Sequence, residues 1–442
     1  MKKKILYFLL VITAFYSCRK DKSPAFDKTA DERINETLSQ YQSVLSGSAN
    51  GWTGTLVTKL GLTFSFYFRF GDNNRVVMYS DFDTTTAGTA KESSFRLKAL
   101  QQPALIFDTY SYIHLPADPD AEVNGGYYGA GLVSDFEFSI DALTADSVLL
   151  TGRFNGSSAI LRKASQQDRA AWENRDIYNT VNGLKSLDKI LNYFKRLNYS
   201  GAEYEVQFNK LYKAVTVSWK NGSTPQSVVT PYYVTPEGVW FGASITNGSQ
   251  VIKGFTITGW DQTTSTLKVK VNNTDASIAG AIKPINPDIA AGRRWWQWGN
   301  NTQSYYYSES GFHVDGVDDA YGVNTLHTDT SEFSALIYWP GIKPPTGSVF
   351  DAFMPYYYIP ASNSVDWNYG TGQQTLFLSD GRVRFNLLGD LIGGDWPTSG
   401  PALQTRTQLF ITDGYWFVQT SETSYDMVSA KDAKAWITWK ND

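Results

Sequence analysis

Over residues 27–47 apolar side chains recur at Ile34, Leu38, Tyr41 and Leu45, intervals of three and four that place them on one face of a helix ended by Gly47. From Gly51 the period changes to two. Phe64, Phe66, Phe68 and Phe70 alternate with Ser65, Tyr67 and Arg69, so the phenylalanines are expected to share one buried face of a strand. Gly71-Asp72-Asn73-Asn74 offers residues that tolerate positive φ, and residues 75–80 are expected to return as the second arm of a hairpin. Alternating segments follow at 94–99, 104–114, 135–140, 148–154 and 159–162, the spacing of a meander or barrel.

The period lengthens again at 165–175, where Ser165 and Asp168 form the acidic version of a capping box ahead of Ala170, Ala171 and Trp172. A second helix is expected over 186–197, burying Leu187, Ile190, Leu191, Phe194 and Leu197. Strands resume at 204–208, 214–220, 228–234, 239–243, 253–257 and 266–271. Residues 136–150 and 255–269 echo one another as strand, turn and strand, which suggests a duplicated β unit, although hairpins also look alike by chance. Pro284 and Pro287 stiffen residues 282–287 into a linker. Beyond it, strands are expected at 376–378, 383–388, 407–411, 415–420 and 435–439, with a short helix capped at Ser429 before the last. The pattern therefore predicts a mainly β protein with a few helices. Its antiparallel meander, barrel or sandwich units fall at 27–200, 201–285 and an aromatic-rich 286–442.

The N-terminal stretch has a different logic. Lys2, Lys3 and Lys4 precede eleven apolar residues, Ile5 to Phe15, about half of the roughly 20 needed to cross a bilayer, so residues 1–17 read as a signal peptide. Cys18 follows Ser17 at its end, in the manner of a bacterial lipobox whose cysteine is acylated. Ordinary cleavage exposing a thiol is the alternative. Phe15 and Tyr16 depart from the usual leucine and small residue, which resembles the relaxed lipoboxes of Bacteroidota. Residues 18–26 would then be a lipidated tether, holding the body within about 25–30 Å of an outer membrane at roughly 3.3 Å per residue. Lys20-Asp21 only faintly resembles a surface-export signal and Arg19 opposes it, so the face of the membrane stays open.

Composition narrows the functions. The formal charge of −4 becomes −7 once the three lysines of residues 1–17 are removed. A mildly acidic body without a basic cluster argues against nucleic acid. With Cys18 the only cysteine, acylation leaves no thiol for catalysis, disulfides or metal. Aromatic residues at 15% and charged ones at 19% fit strands joined by tight turns.

Several segments together carry a resemblance: the lipobox, the amphipathic first helix, Gly51-Trp52-Thr53-Gly54, the Phe70-Gly71-Asp72-Asn73-Asn74-Arg75-Val76 hairpin, the segment from Phe107 to His114, Leu150-Thr151-Gly152 and Tyr232-Tyr233-Val234-Thr235-Pro236-Glu237-Gly238. Over nearly its full length the chain resembles domain-of-unknown-function family 4302, large lipoproteins of Bacteroidota. That resemblance implies a place beside a TonB-dependent uptake system of SusC and SusD type, sometimes with a zinc metallopeptidase nearby, and it lends no catalytic residue.

Candidate chemistry is sparse. The chain has three histidines, His114, His313 and His327, and lacks His-Glu-x-x-His, Gly-x-Ser-x-Gly and a phosphate loop. A zinc site from these three competes with ordinary structural histidines. No spacing selects a pair of carboxylates for glycoside hydrolysis, since such pairs are defined in space. Asp315, Asp318 and Asp319 cluster around Gly316, a loop whose hard oxygens suit calcium, without the alternation of an EF-hand. The remaining candidates are aromatic: Trp295, Trp296, Trp298, Tyr306 and Trp367, rings that either fill a core or line a platform for a glycan or peptide. Adjacent Trp295-Trp296, Tyr305-Tyr306-Tyr307 and Tyr356-Tyr357-Tyr358 would, on strands, point to opposite faces. The sequence thus suggests a non-enzymatic lipoprotein that binds a ligand or partner in nutrient uptake, with a hydrolase or a structural companion of a transporter as alternatives.

Overall fold

In the computed structural model, which describes residues 28–99, 102–345, 347–391 and 394–441, strands close on themselves three times in succession. Cys18, the signal segment and the tether lie outside the described residues. The first helix, Ala30–Ser46, opens with a capping box between Thr29 and Glu32 and ends at Gly47 as the sequence predicts. The indole of Trp52 donates to the Leu45 carbonyl at 2.9 Å and fixes its C-terminal end to the first barrel.

That barrel has eight antiparallel strands, from Trp52–Val57 to Ser158–Lys163, and the first pairs with the last from Trp52↔Lys163 to Val57↔Ser158. The predicted hairpin arms form over Thr63–Phe70 and Arg75–Ser80, with Asn74 taking positive φ in the turn. Phe64, Phe66, Phe68 and Phe70 all point inward, none more than 3% exposed, with Phe70 edge-on to Phe95 at 4.9 Å. The rings fill the barrel, leaving about 10 Å³ among Phe66, Phe68, Phe107 and Phe138, at most room for one water. Tyr67, on the outer face of the same strand, is also buried, stacked on Trp172 of the Gln166–Glu173 helix. That helix starts with the predicted capping box, the Ser165 amide donating to Asp168 at 2.7 Å.

The helix expected at 186–197 does not form. Helix lies instead at Asp176–Leu184, continuing as a 3₁₀ turn over Lys185–Lys189, and Phe194–Tyr199 is a strand. Leu187, Ile190, Phe194 and Leu197 are all buried, which is why their spacing read as one helical face. The strand wins because it has a partner on each side, Ala202–Asn209 and Thr274–Ala281, and closes the second eight-stranded barrel. The second β unit therefore begins at Phe194, not at residue 201. The echoing segments, 136–150 and 255–269, fall on the sixth-to-seventh hairpin of each barrel. Both hairpins carry a register shift in the sixth strand, between Ile140 and Ala142 in one and between Ile257 and Gly259 in the other.

The two barrels are joined through a buried carboxylate. Asp81 Oδ1 accepts the Ser65 amide at 2.9 Å within the first barrel. Its Oδ2 accepts the Val234 amide at 2.8 Å and the Lys213 ammonium at 2.6 Å, both from the second. Burial pushes the Lys213 ammonium down in pKa, and Asp81 opposes that shift.

The linker is bound to the second barrel, with the Ile285 amide donating to Glu205 at 2.9 Å and the Asn286 side chain to the Trp219 carbonyl at 3.0 Å. It leads into an eleven-stranded sheet. Ser331–Ile342 pairs with both Tyr306–Ser308 and Phe350–Ile359, so eight of these strands also return on themselves. His313–Val314, His327–Thr328 and Ser364–Asp366 attach as two- or three-residue pieces. Two helices here were not expected, Ala291–Thr302 and Gly400–Leu409. The short helix expected after Ser429 is a single turn, the Ala433 amide donating to the Ser429 carbonyl at 2.9 Å, because Ala433 turns to positive φ and the chain goes directly into Ala435–Lys440.

Candidate functional site

The aromatic residues of the C-terminal unit separate into two populations, and backbone geometry decides which is which. Trp295, Trp296 and Trp298 lie on the Ala291–Thr302 helix, so neighbours are about 100° apart and do not point to opposite faces as they would on a strand. Trp295 faces into the third barrel and is fully buried, its ring 4.7 Å from those of Tyr338 and Phe417 and 5.1 Å from Tyr306. Tyr306 is likewise buried, at 1% exposure. Trp298 is half-buried against Tyr306 at 4.9 Å. Trp296 is half-buried and donates its indole N–H to Asp351 at 2.8 Å. Of the five aromatic candidates, Trp295 and Tyr306 are core residues, Trp296 and Trp298 hold the helix to the barrel, and Trp367 lies elsewhere.

The second population follows strand alternation. In Ser331–Ile342, Leu336 and Tyr338 point into the barrel, so Ala335, Ile337 and Trp339 point out. In Phe350–Ile359, Phe353 and Tyr357 are inward or buried while Ala352, Met354 and Tyr356 share the outer side. Opposite pairing sets Ile337 beside Met354 and Trp339 beside Ala352. Tyr305, Tyr307 and Trp367 complete a patch whose rings are half-buried, with Tyr305 5.6 Å from Trp339 and 6.0 Å from Tyr356. Tyr358 stands at its margin, 38% exposed, its hydroxyl donating to Asn363 at 3.0 Å. Five tyrosine and tryptophan rings on one outward face, floored by Ala335, Ile337, Ala352 and Met354, are the most extensive such arrangement among the described aromatic clusters.

A register shift between Trp339 and Ile342 aims this face. Gly341, at positive φ, sits where a Cβ would lie 2.2 Å from Asn300, so only glycine fits the bulge. Its amide donates to Asp351 at 2.7 Å. Asp351, buried behind the face, also accepts from Trp296, from the Tyr338 hydroxyl at 3.1 Å and from the Thr375 hydroxyl. Burial raises the pKa of its carboxyl and the surrounding donors oppose the rise. The network ties helix, bulge and sheet together, so the aromatic face rests on a rigid support.

The other candidate residues are not brought into a site. Asp319 uses both carboxylate oxygens on the Val323 and Asn324 amides, at 2.9 and 3.0 Å, Asp318 meets His313 at 2.5 Å, and Asp315 is exposed at positive φ. Among the described residues no group of three or more His, Cys, Asp or Glu side chains converges as metal ligands would. His114 is buried in the first barrel, accepting the Ser111 amide at Nδ1 (3.1 Å), which leaves Nε2 to donate to the Phe107 carbonyl. Burial lowers its pKa. His327 is exposed in the third unit. Tyr305 and Tyr356 belong to the tyrosine runs expected to place a member off the core, whereas sequence reasoning missed Trp339. The signal that could have found Trp339 is the alternation of Leu336, Tyr338 and their neighbours along one long strand.

A family model described as a domain of unknown function (DUF4302) matches residues 22–259, which covers the first barrel and most of the second. No curated protein matches the chain. Among solved structures, similarity is found to the DNA polymerase III β chain of Streptococcus pneumoniae TIGR4, to the Helicobacter pylori β clamp bound to a DNA ligase peptide, and to the DNA polymerase β subunit of Streptococcus pyogenes. Their identities are 8%, 7% and 10%; they cover 91%, 93% and 91% of this chain and 97% of each of their own, with TM-scores of 0.14, 0.14 and 0.13. At such scores the likeness carries no argument about fold or function.

Proposed function

The chain belongs to the DUF4302 family, a domain of unknown function, and from that premise we propose that this protein is a non-enzymatic, lipid-anchored glycan-binding protein of the bacterial outer membrane. In this reading it serves a TonB-dependent uptake system of SusC and SusD type in a member of the Bacteroidota. The observation that carries it is the outward aromatic face of the third barrel. Tyrosine and tryptophan combine a flat apolar ring with a polar edge, which suits a sugar ring bearing C–H groups on one face and hydroxyls around its rim. The face is half-buried and lies on paired strands, so binding would order few side chains. An extended peptide is the competing occupant, and the rim speaks for the glycan: Asp366, Asn363 and Glu332 are exposed and offer acceptors to hydroxyl donors.

The test is a glycan and peptide panel on the purified body. Saturable binding of one or more glycans is expected, with Trp339→Ala weakening it by about 1–3 kcal/mol, the size of an interface hot spot, at an unchanged unfolding midpoint. Binding of peptides alone, or a Trp339→Ala protein that binds as well as the parent, would overturn the reading.

The anchor is tested separately. Cys18 is the only thiol and follows the apolar run directly. The parent protein is expected to sediment with membranes through a salt wash and Cys18→Ala to be released. Retention of Cys18→Ala would show that something other than acylation holds the body there.

A further inference from the structure

A cavity of about 600 Å³ lies at the mouth of the second barrel, within the range that holds small-molecule ligands. Leu184 and Leu187, from the helix and the 3₁₀ turn that close this end, form its apolar wall with Val206, Phe208 and Tyr232 of the barrel. Its other side is made by Val418, Gln419 and Thr420 of the third unit, so the space lies where the two units meet. Contacts hold that junction closed around it: the Tyr193 amide donates to the Ala433 carbonyl at 2.7 Å, and the Asn192 side chain to the Asp432 carbonyl at 2.8 Å.

One charged group points into this space without an ion pair of its own. Leu197 and Tyr199 lie on the inner face of the Phe194–Tyr199 strand, so Lys195, two residues before Leu197, shares that face and lines the cavity. Its ammonium donates to the Asn192 carbonyl at 3.1 Å, and no carboxylate among the described residues lies within ion-pair distance. Of the other ionisable groups that line the space, Tyr232 is buried in the wall and the rest are already matched. Lys210 is paired with Asp188 at the exposed rim, 2.6 Å from its Oδ1, and the Tyr193 hydroxyl turns away to Asp426 at 2.7 Å. Burial lowers the pKa of Lys195 and the charge of Lys210 adds to that, while Asp188, paired with Lys210, opposes the shift. A lysine at the end of a barrel strand would ordinarily extend to solvent. Here it is half-buried, with two of its three donors uncommitted in the bonds seen.

We propose that this cavity is a binding site for a small ligand bearing a carboxylate, with Lys195 as the anchor for that group. Gln207, Asn209, Thr216 and Gln419 line the same space and offer hydrogen bonds to hydroxyl or amide groups, while the leucine wall takes the apolar side of the ligand. Two sources share this chemistry, an acidic sugar and an acidic amino acid or dipeptide. The site is distinct from the aromatic face of the third barrel and does not depend on it.

Calorimetric titration of the full-length protein in detergent with glucuronate, galacturonate, glutamate and an alanyl-glutamate dipeptide, against glucose, galactose and glutamine, tests the assignment. At least one carboxylate is expected to bind saturably and at least tenfold tighter than its neutral counterpart, and which one binds distinguishes sugar from peptide. Lys195→Met is expected to weaken that binding by tenfold or more with the unfolding midpoint unchanged, and Lys210→Met by no more than about twofold. Should Lys195→Met fail to fold, Thr420→Trp fills the cavity from its exposed roof and is expected to abolish binding. Trp339→Ala should leave it untouched. The absence of saturable binding by any carboxylate, equal binding of neutral counterparts, or full binding by Lys195→Met or Thr420→Trp would each overturn the proposal.

Discussion

Replacing Asp81 by alanine is expected to destabilise the first two barrels by about 3–5 kcal/mol, the cost of leaving one member of a buried ion pair uncompensated. The side chains of Asp81 and Lys213 are 0% and 8% exposed. Removing the carboxylate would strand the Lys213 ammonium 4.4 Å from the ring of Phe64 and leave the Ser65 and Val234 amides without their acceptor. The change should show as a lower urea midpoint and as faster proteolysis near Asp81 and Lys213. A double variant, Asp81→Leu with Lys213→Met, should recover much of the loss, because matched apolar groups avoid desolvating two charges. A single variant within about 1 kcal/mol of the parent would mean that the carboxylate does not hold the barrels together.

Trp295→Ala is expected to cost a similar amount, about 3–5 kcal/mol, through the void left among Tyr306, Tyr338 and Phe417. The comparison with Trp339→Ala separates the two aromatic populations. The latter removes a half-buried ring from the outside of the same barrel and should cost no more than about 1 kcal/mol in thermal or urea unfolding. Equal losses for the two would erase the distinction between core and face on which the binding proposal depends. No partner is seen for the Trp295 indole nitrogen, so that residue is retained for its volume and shape.

These contrasts also show where sequence reasoning holds and where it stops. Period-two alternation with one buried face was readable: the hairpin over Thr63–Phe70 and Arg75–Ser80 forms where the pattern put it, because the phenylalanines have one side to go to. The capping box at Ser165 was readable for the same reason, being a local bond between residues three apart. Phe194–Tyr199 was not, since its strand state depends on a partner on each side, and the one near residue 278 lies far outside any local window. Trp295, Trp296 and Trp298 misled because tryptophan favours strands by packing, whereas here a helix lets Trp295 enter the barrel while Trp296 reaches Asp351. The aromatic face was half readable. Adjacent tyrosines implied two faces, but which face stayed uncovered depends on the third barrel closing around the other.

Ring closure has a further consequence. A strand at the edge of a sheet displays a row of unpaired amides and carbonyls on which another chain can add, and long, flat, aromatic edges nucleate aggregates. This chain is rich in such strands, yet each of its barrels returns to its own first strand or closes by pairing Ser331–Ile342 with Phe350–Ile359. Among the described residues, what attaches outside the third ring is the short pieces His313–Val314, His327–Thr328 and Ser364–Asp366, too brief to template a partner. On the proposed reading, anchored copies at high local density on a membrane would meet one another constantly. Closure would then let each keep its aromatic face for a ligand while offering its neighbours almost no backbone to pair with.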